Sequence, residues 1–137
     1  MIVIPDAPEV IGYVERTLKV KIAPPAQAFG YVTDDGKPLA AVVVNDYTFA
    51  NCELTIVAER GGLTRPVLRH IAAHAFNKLG CRRVTVRTRK RNKHVQHLAL
   101  RAGFKFETVA QHYFEDDDAV VYRMKREDCP WIGHKNG

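Results

Sequence analysis

The sequence predicts a mixed α/β (α+β) fold, a mostly antiparallel twisted sheet flanked by helices, on three observations. The apolar period changes from strand-like to helical at Leu63. Before that point, strand-like segments follow one another through short turns, as in an antiparallel meander. After it the order is helix, strand, helix, strand, strand, which is not a repeating βαβ array.

Each element has its own signal. Residues 6–18 read as a short helix, with Asp6 as cap, Pro8 in the first turn, and Val10, Ile11, Val14 and Leu18 on one face. Pro24 and Pro25 end that region. Phe29–Val32 reads as a strand, and Asp34-Asp35-Gly36-Lys37 as a hairpin turn. The valine-rich run Leu39–Val44 is expected to be a buried central strand. Asn45 and Asp46 mark the next turn, and Glu53–Val57 a strand with Leu54, Ile56 and Ala58 on one face. Leu63, Val67, Leu68, Ile71, Ala72, Ala75, Phe76 and Leu79 then recur at helical spacing. Thr64 serves as cap, Pro66 lies in the first turn and Gly80 is the stop, which predicts a helix over 64–79. Arg83–Thr88 alternates like a strand. Asn92–Ala102 is a further helix, capped by Asn92 and ended at Gly103. Phe104–Phe114 and Ala119–Met124 close the chain as strands joined by the acidic turn Glu115–Asp118.

Composition narrows the class. A chain of 137 residues, 46% of them hydrophobic, fits one globular domain over 1–137. No apolar run approaches the ~18–20 residues that span a bilayer. The start MIVIPDAPEV lacks the regions of a secretion signal, so no membrane partner and cytoplasmic residence are expected. Cys52, Cys81 and Cys129 are odd in number without CxxC spacing, which argues against a disulfide framework or zinc site. Cys52 and Cys81 are expected to be buried. His70 and His74 stand one helical turn apart without a third ligand, so they are read as helix surface and no metal is expected.

The segment that carries chemistry runs from Thr55 to Arg65: strand, glycine turn, helix. Glycines let a backbone approach a ligand closely, and the free N–H groups of a helix N-terminus take phosphate. Arg60 and Arg65 would add charge-assisted contacts. A Gly-Gly before a helix is also what an ordinary turn looks like. The run Asn92-Lys93-His94-Val95-Gln96-His97-Leu98-Ala99-Leu100-Arg101-Ala102-Gly103-Phe104 follows a strand. It resembles the signature of the GNAT N-acetyltransferases, an Asn-started helix ending in Gly-Phe. The turn Glu59–Thr64 falls where that family has its pyrophosphate loop. Phe106-Glu107 and Val121–Arg126 are similar to the family's last two strands, particularly in its compact protein-acetylating branch. The tail Glu127–Ile132 resembles small acetyltransferase-like proteins of bacteriophages. The resemblance covers about residues 28 to 126.

The resemblance implies a GNAT-like sheet splayed at a central cofactor cleft, and transfer of an acetyl group from acetyl-CoA to an amine, with an amine on a protein among the acceptors. It implies a pyrophosphate site at Arg60, Gly61, Gly62, Leu63, Thr64 and Arg65. Backbone contacts to pantetheine and thioester would come from Ile56, Val57 and Ala58. Asn92 would meet the pantetheine arm, or act as a plain cap. Glu53 is the candidate base, at the start of the strand that supplies one in this family; His112 and Tyr113 lie near the expected acceptor groove. Glu59 is expected to pair with Arg60. The chain departs from the family pattern at three places. Glu59 is acidic where the loop begins, Thr64 stands where it ends, and Ala99 occupies the place of the general-acid tyrosine. Protonation of the leaving thiolate must then come from elsewhere or from water.

Charge supports a second reading. The chain carries a net +6, yet no Asp or Glu lies between Glu59 and Glu107. Arg82, Arg83, Arg87, Arg89, Lys90, Arg91 and Lys93 fall in that stretch. A basic face of this kind suits a polyanion, whether the phosphates of CoA or a nucleic acid. The stretch lacks the interleaved aromatics of a single-strand binding platform. A third reading is a GNAT fold that binds CoA without turnover.

Overall fold

The computed structural model describes residues 1–5 and 8–134; the cap assigned to Asp6 lies outside them. Seven strands form one sheet: β1 (Ile2–Pro5), β2 (Gln27–Val32), β3 (Pro38–Asn45), β4 (Asn51–Ala58), β5 (Arg83–Arg89), β6 (Lys105–Phe114) and β7 (Asp117–Lys125). Their order is β1-β2-β3-β4-β5-β7-β6. All neighbours are antiparallel except β4 and β5, which run parallel. Parallel strands need a crossover, and α2 (Arg65–Ala72) with the turn after it supplies one. Helices α1 (Pro8–Leu18) and α3 (Lys93–Ala102) complete the elements with a short 3-10 turn, Arg126–Asp128.

The alternation of side chains along the strands builds two separate cores. Cys52, Leu54, Ile56, Val84 and Val86 face one side and pack with Val67, Ile71, Phe76, Val95 and Ala99 of the α2 and α3 region. On the other face Val14 of α1 is fully buried against Ala28, Ala41 and Val43. Burying a side chain of that size contributes about 1.5–3 kcal/mol. Cys52, Cys81 and Cys129 are all buried and free.

Three outcomes differ from the sequence reading. Strand β1 was not foreseen: four residues, mostly exposed at the sheet edge, carry no burial period, and only pairing with β2 makes them a strand. The helix expected over 64–79 is α-helical only to Ala72 and widens into a π-helical turn over Ala73–Lys78. The successive residues His74, Ala75 and Phe76 are all buried, an arc that the wider turn turns inward together. His70 and His74 are therefore not surface residues. His74 is buried with Nε2 at 2.8 Å from Gln27 Oε1, and His70 Nδ1 lies 2.8 Å from the Tyr31 hydroxyl. Both rings meet Phe29 edge-on, and burial holds both imidazoles below their ordinary pKa.

Helix α3 is bounded as expected. Asn92 Oδ1 accepts from the Val95 N–H at 3.3 Å, and Gly103, at φ 105°, takes the left-handed position that ends the helix. The tail folds back on this end, with Trp131 Nε1 donating to the Ala102 carbonyl at 2.8 Å.

Candidate active site

Strands β4 and β5 pair only over Asn51–Leu54 and Arg83–Val86. Beyond that, β4 stays with β3 as far as Ala58, and β5 stays with β7 as far as Arg89. A wedge-shaped cleft opens between them. The Glu59 N–H donates to Leu39 O at 2.9 Å, which sets the alternation along β4. The backbone of Val57 therefore faces Ala41 on β3, while that of Ile56 and Ala58 faces the cleft. Of the three residues expected to offer backbone contacts, Val57 is spent on the sheet. The Ala58 carbonyl lies 3.0 Å from His94 Nε2, so Ile56 is the open position. From the same end of α3, Gln96 Nε2 donates to the Arg89 and Lys90 carbonyls at 3.2 and 2.6 Å. His94 and Gln96 tie α3 to both strand ends and hold the wedge apart. The sequence reading passed over both, because nothing marks them from ordinary helix-surface residues.

The loop between β4 and α2 is built around two glycines with different reasons. Gly61 sits at φ +73° with open space where a Cβ would be. At Gly62 a Cβ would stand 1.9 Å from the Leu39 carbonyl oxygen. The Gly62 N–H is used within the turn, donating to Glu59 O at 2.8 Å. Thr64 Oγ1 accepts from the Val67 N–H at 3.4 Å, and Pro66 has no N–H to offer. The N–H groups of Gly61, Leu63, Thr64 and Arg65 meet no protein acceptor among the described residues. Arg60 and Arg65 are exposed and, among the described residues, in no ion pair; Glu59 does not pair with Arg60, and its recorded bonds are backbone ones. Free amides flanked by two arginines fit a diphosphate. Thr64→Ala is expected to cost about 1 kcal/mol in thermal melts through loss of the cap.

On the face opposite α2 and α3, Glu53 lies between Asn45 of β3 and Thr85 of β5. It is 6% exposed. Oε1 lies 3.4 Å from Arg87 Nη1, and Oε2 accepts from Asn45 Nδ2 at 3.5 Å. Burial pushes its carboxyl up to about 7; Asp46 adds to the rise and Arg87 opposes it. Arg87 also donates to the Tyr113 hydroxyl and stacks over that ring at 4.4 Å. Helix α1 covers β2, β3 and β4, leaving an open groove along β5, β7 and β6. Asn51, Arg83, Thr85, Arg87, Glu107 and Tyr113 are among its walls.

No protein-family model and no curated protein matches the chain. Solved structures do. A single-residue mutant of the spermidine N-acetyltransferase SpeG from Vibrio cholerae superposes with a TM-score of 0.72 at 9% identity, over 91% of this chain and 95% of that one. A pair of glutamate-to-glutamine mutants of the spermidine/spermine N-acetyltransferase SpeG from the same organism gives 0.72 at 11% identity, covering 92% and 95%. The Vibrio cholerae spermidine N-acetyltransferase solved with CoA and spermine gives 0.65 at 14% identity, covering 75% and 67%. The chain has the GNAT fold. Likeness at this identity carries the architecture and nothing finer.

Within the GNAT fold, the remaining candidates separate. Tyr113 reaches Glu53 through Arg87. His112 does not join them: it is exposed at φ +54° in a stretch where β6 loses register with β7, its N–H held by Asp118 Oδ1 at 2.8 Å. Asn92 acts as a cap, as its alternative reading had it. Ala99 lies in the core on the wall of a small apolar cavity of about 30 Å³ with Leu54, Ile56 and Phe104, so no hydroxyl stands there. The basic stretch is balanced in part: Arg83 pairs with Glu107 of β6, Arg87 with Glu53 of β4, and Arg89 and Arg91 with Asp116 in the turn between β6 and β7, while Arg82, Lys90 and Lys93 are in no ion pair among the described residues. Among the described residues, no group of three or more His, Cys, Asp or Glu is placed for a metal, and no helix is long and apolar enough to cross a membrane.

Proposed function

We propose that the chain is a cytoplasmic enzyme that transfers the acetyl group of acetyl-CoA to an amine, with the diphosphate at Arg60–Arg65 and the amine entering from the groove beside Glu53. The observation that carries this is the wedge that opens between β4 and β5 beyond Leu54, with the free amides past its β4 edge and the buried Glu53 in the paired stretch just before it. The neighbouring structure with CoA and spermine supports an acyl donor and an amine acceptor on this architecture. With a carboxyl near 7, Glu53 is about half ionised at neutral pH and takes the proton of the incoming ammonium. The amine then attacks the thioester carbonyl: the C–N bond forms, the developing oxyanion faces the Ile56 N–H, and the C–S bond breaks. The CoA thiolate leaves, and, since Ala99 offers no acid, the proton that the adduct's nitrogen sheds on forming the amide passes through water to the thiolate. Arg87 and Tyr113 hold the carboxylate of Glu53 in place.

Calorimetric titration with acetyl-CoA tests the donor half. Saturable binding is expected, with Arg60→Ala and Arg65→Ala each costing about 1.5–3 kcal/mol, roughly 10- to 100-fold in affinity. Absence of binding at millimolar acetyl-CoA would discard the enzyme reading.

A further inference from the structure

We propose that the apolar cavity at Ala99 is a pocket for the donor's acyl chain, sized for propionyl and butyryl thioesters of CoA as well as acetyl; this rests on the acyl-transfer reading and names its donor class. The cavity, of about 30 Å³, lies on the helix face of the sheet where the two strands part. Leu54, the last β4 residue paired with β5, lines it together with Ile56, the open backbone position just beyond. Val84 joins them from β5. The side chains of Leu54, Ile56 and Val84 all point to the face that carries α2 and α3. A thioester whose carbonyl meets the Ile56 N–H therefore has this cavity directly behind it on the helix face.

Four alanines leave the space open. Ala72 and Ala75 line it from α2 and the π-helical turn, and Ala99 and Ala102 from α3. Interiors elsewhere pack as tightly as organic crystals, and unfilled space costs stability. The helices do not close on this one because each is fixed elsewhere. His94 and Gln96 bind the start of α3 to the ends of β4 and β5, and Trp131 holds the other end at the Ala102 carbonyl. His70 and His74 fix α2 and its π-helical turn to Tyr31 and Gln27 of β2. Every wall residue is apolar, so the space offers water no hydrogen bond and favours hydrocarbon. Where ~10–15 Å³ holds one water-sized group, a cavity of 30 Å³ holds about two. Acetyl extended by that many methylenes is butyryl.

Calorimetric titration of the full chain with CoA and with its acetyl, propionyl, butyryl and hexanoyl thioesters tests this without an acceptor. Each buried methylene is expected to tighten binding about fourfold, which puts the Kd of butyryl-CoA at least about tenfold below that of acetyl-CoA. Hexanoyl-CoA exceeds the cavity and should bind more weakly than butyryl-CoA. Ala99→Val places two more carbons in the cavity and should bring the butyryl-to-acetyl ratio to within about twofold of one. Ala75→Val does the same from the other helix, and melting curves report the folding of each variant. The wild-type series decides by itself: equal affinities from acetyl to butyryl, or affinities that weaken from acetyl onward, overturn the proposal. A butyryl preference that a folded variant keeps also overturns it. Wild-type protein that binds CoA and all its thioesters alike overturns the pocket and leaves the CoA site standing. Wild-type protein that binds neither CoA nor any thioester removes the acyl-transfer reading beneath it.

Discussion

Glu53→Gln is expected to lower kcat by about 10²–10⁴-fold with acetyl-CoA binding intact. The amide keeps the shape and the contact with Asn45, and loses the ability to take a proton together with the charge that faces Arg87. In the wild type the rate should climb as pH rises through about 7, where the buried carboxyl ionises, and then level off. In the variant that limb should vanish. Stability moves the opposite way. Because the folded carboxyl titrates near 7 and the ordinary value is 4.5, the folded state holds a proton that the unfolded chain has released in between. Stability contributed by this site is therefore full below about 4.5 and is lost as pH rises toward 7. Above pH 7, Glu53→Gln should be more stable than wild type by on the order of 1–3 kcal/mol, and at pH 4 the two should melt together. A variant with unchanged kcat removes Glu53 as base; a variant that loses stability at pH 8 shows that the pairing with Arg87 outweighs desolvation.

Gly62→Ala should destabilise the fold by about 3 kcal/mol, where Gly61→Ala costs about 1–2 kcal/mol. The two glycines are adjacent and look alike in sequence, but their surroundings differ. A methyl at Gly62 meets the Leu39 carbonyl oxygen at 1.9 Å, and that carbonyl is backbone already bonded to the Glu59 N–H, so it has little freedom to retreat. At Gly61 nothing lies within 4 Å, and the cost is only the strain of φ +73° for a residue with a side chain. Thermal unfolding separates them. Gly62→Ala should also weaken acetyl-CoA, since relief of the clash moves the loop that carries the free amides. Equal melting temperatures for the two variants would show that the loop relaxes without cost.

The sequence by itself determined the element order from α1 to β7 and the face of β4 that carries Leu54 and Ile56. Those signals are periods and caps, written within a few residues: valine runs in β3, the Thr64 and Asn92 caps, the Gly103 stop. The glycine turn between a strand and a helix, with Arg60 and Arg65, marked a candidate anion loop, and the resemblance to the GNAT family made Glu53 the candidate base. Only the tertiary structure decided what each of these residues meets. Glu53 is buried because β3 and β5 flank it, so its titration near neutrality is a property of the sheet. Val57 was set aside and Ile56 left open by the register with β3, which one-residue spacing cannot reveal. His94 acquired its place from the wedge it spans, and His112 lost its own to an irregular stretch of β6. The charge of the middle segment looked unopposed along the chain and is paired in part in space, since β6 and the turn after it bring Glu107 and Asp116 within reach of Arg83, Arg89 and Arg91. Local propensity acts between near neighbours, whereas burial, register and charge pairing arise between residues that meet only once the sheet has closed.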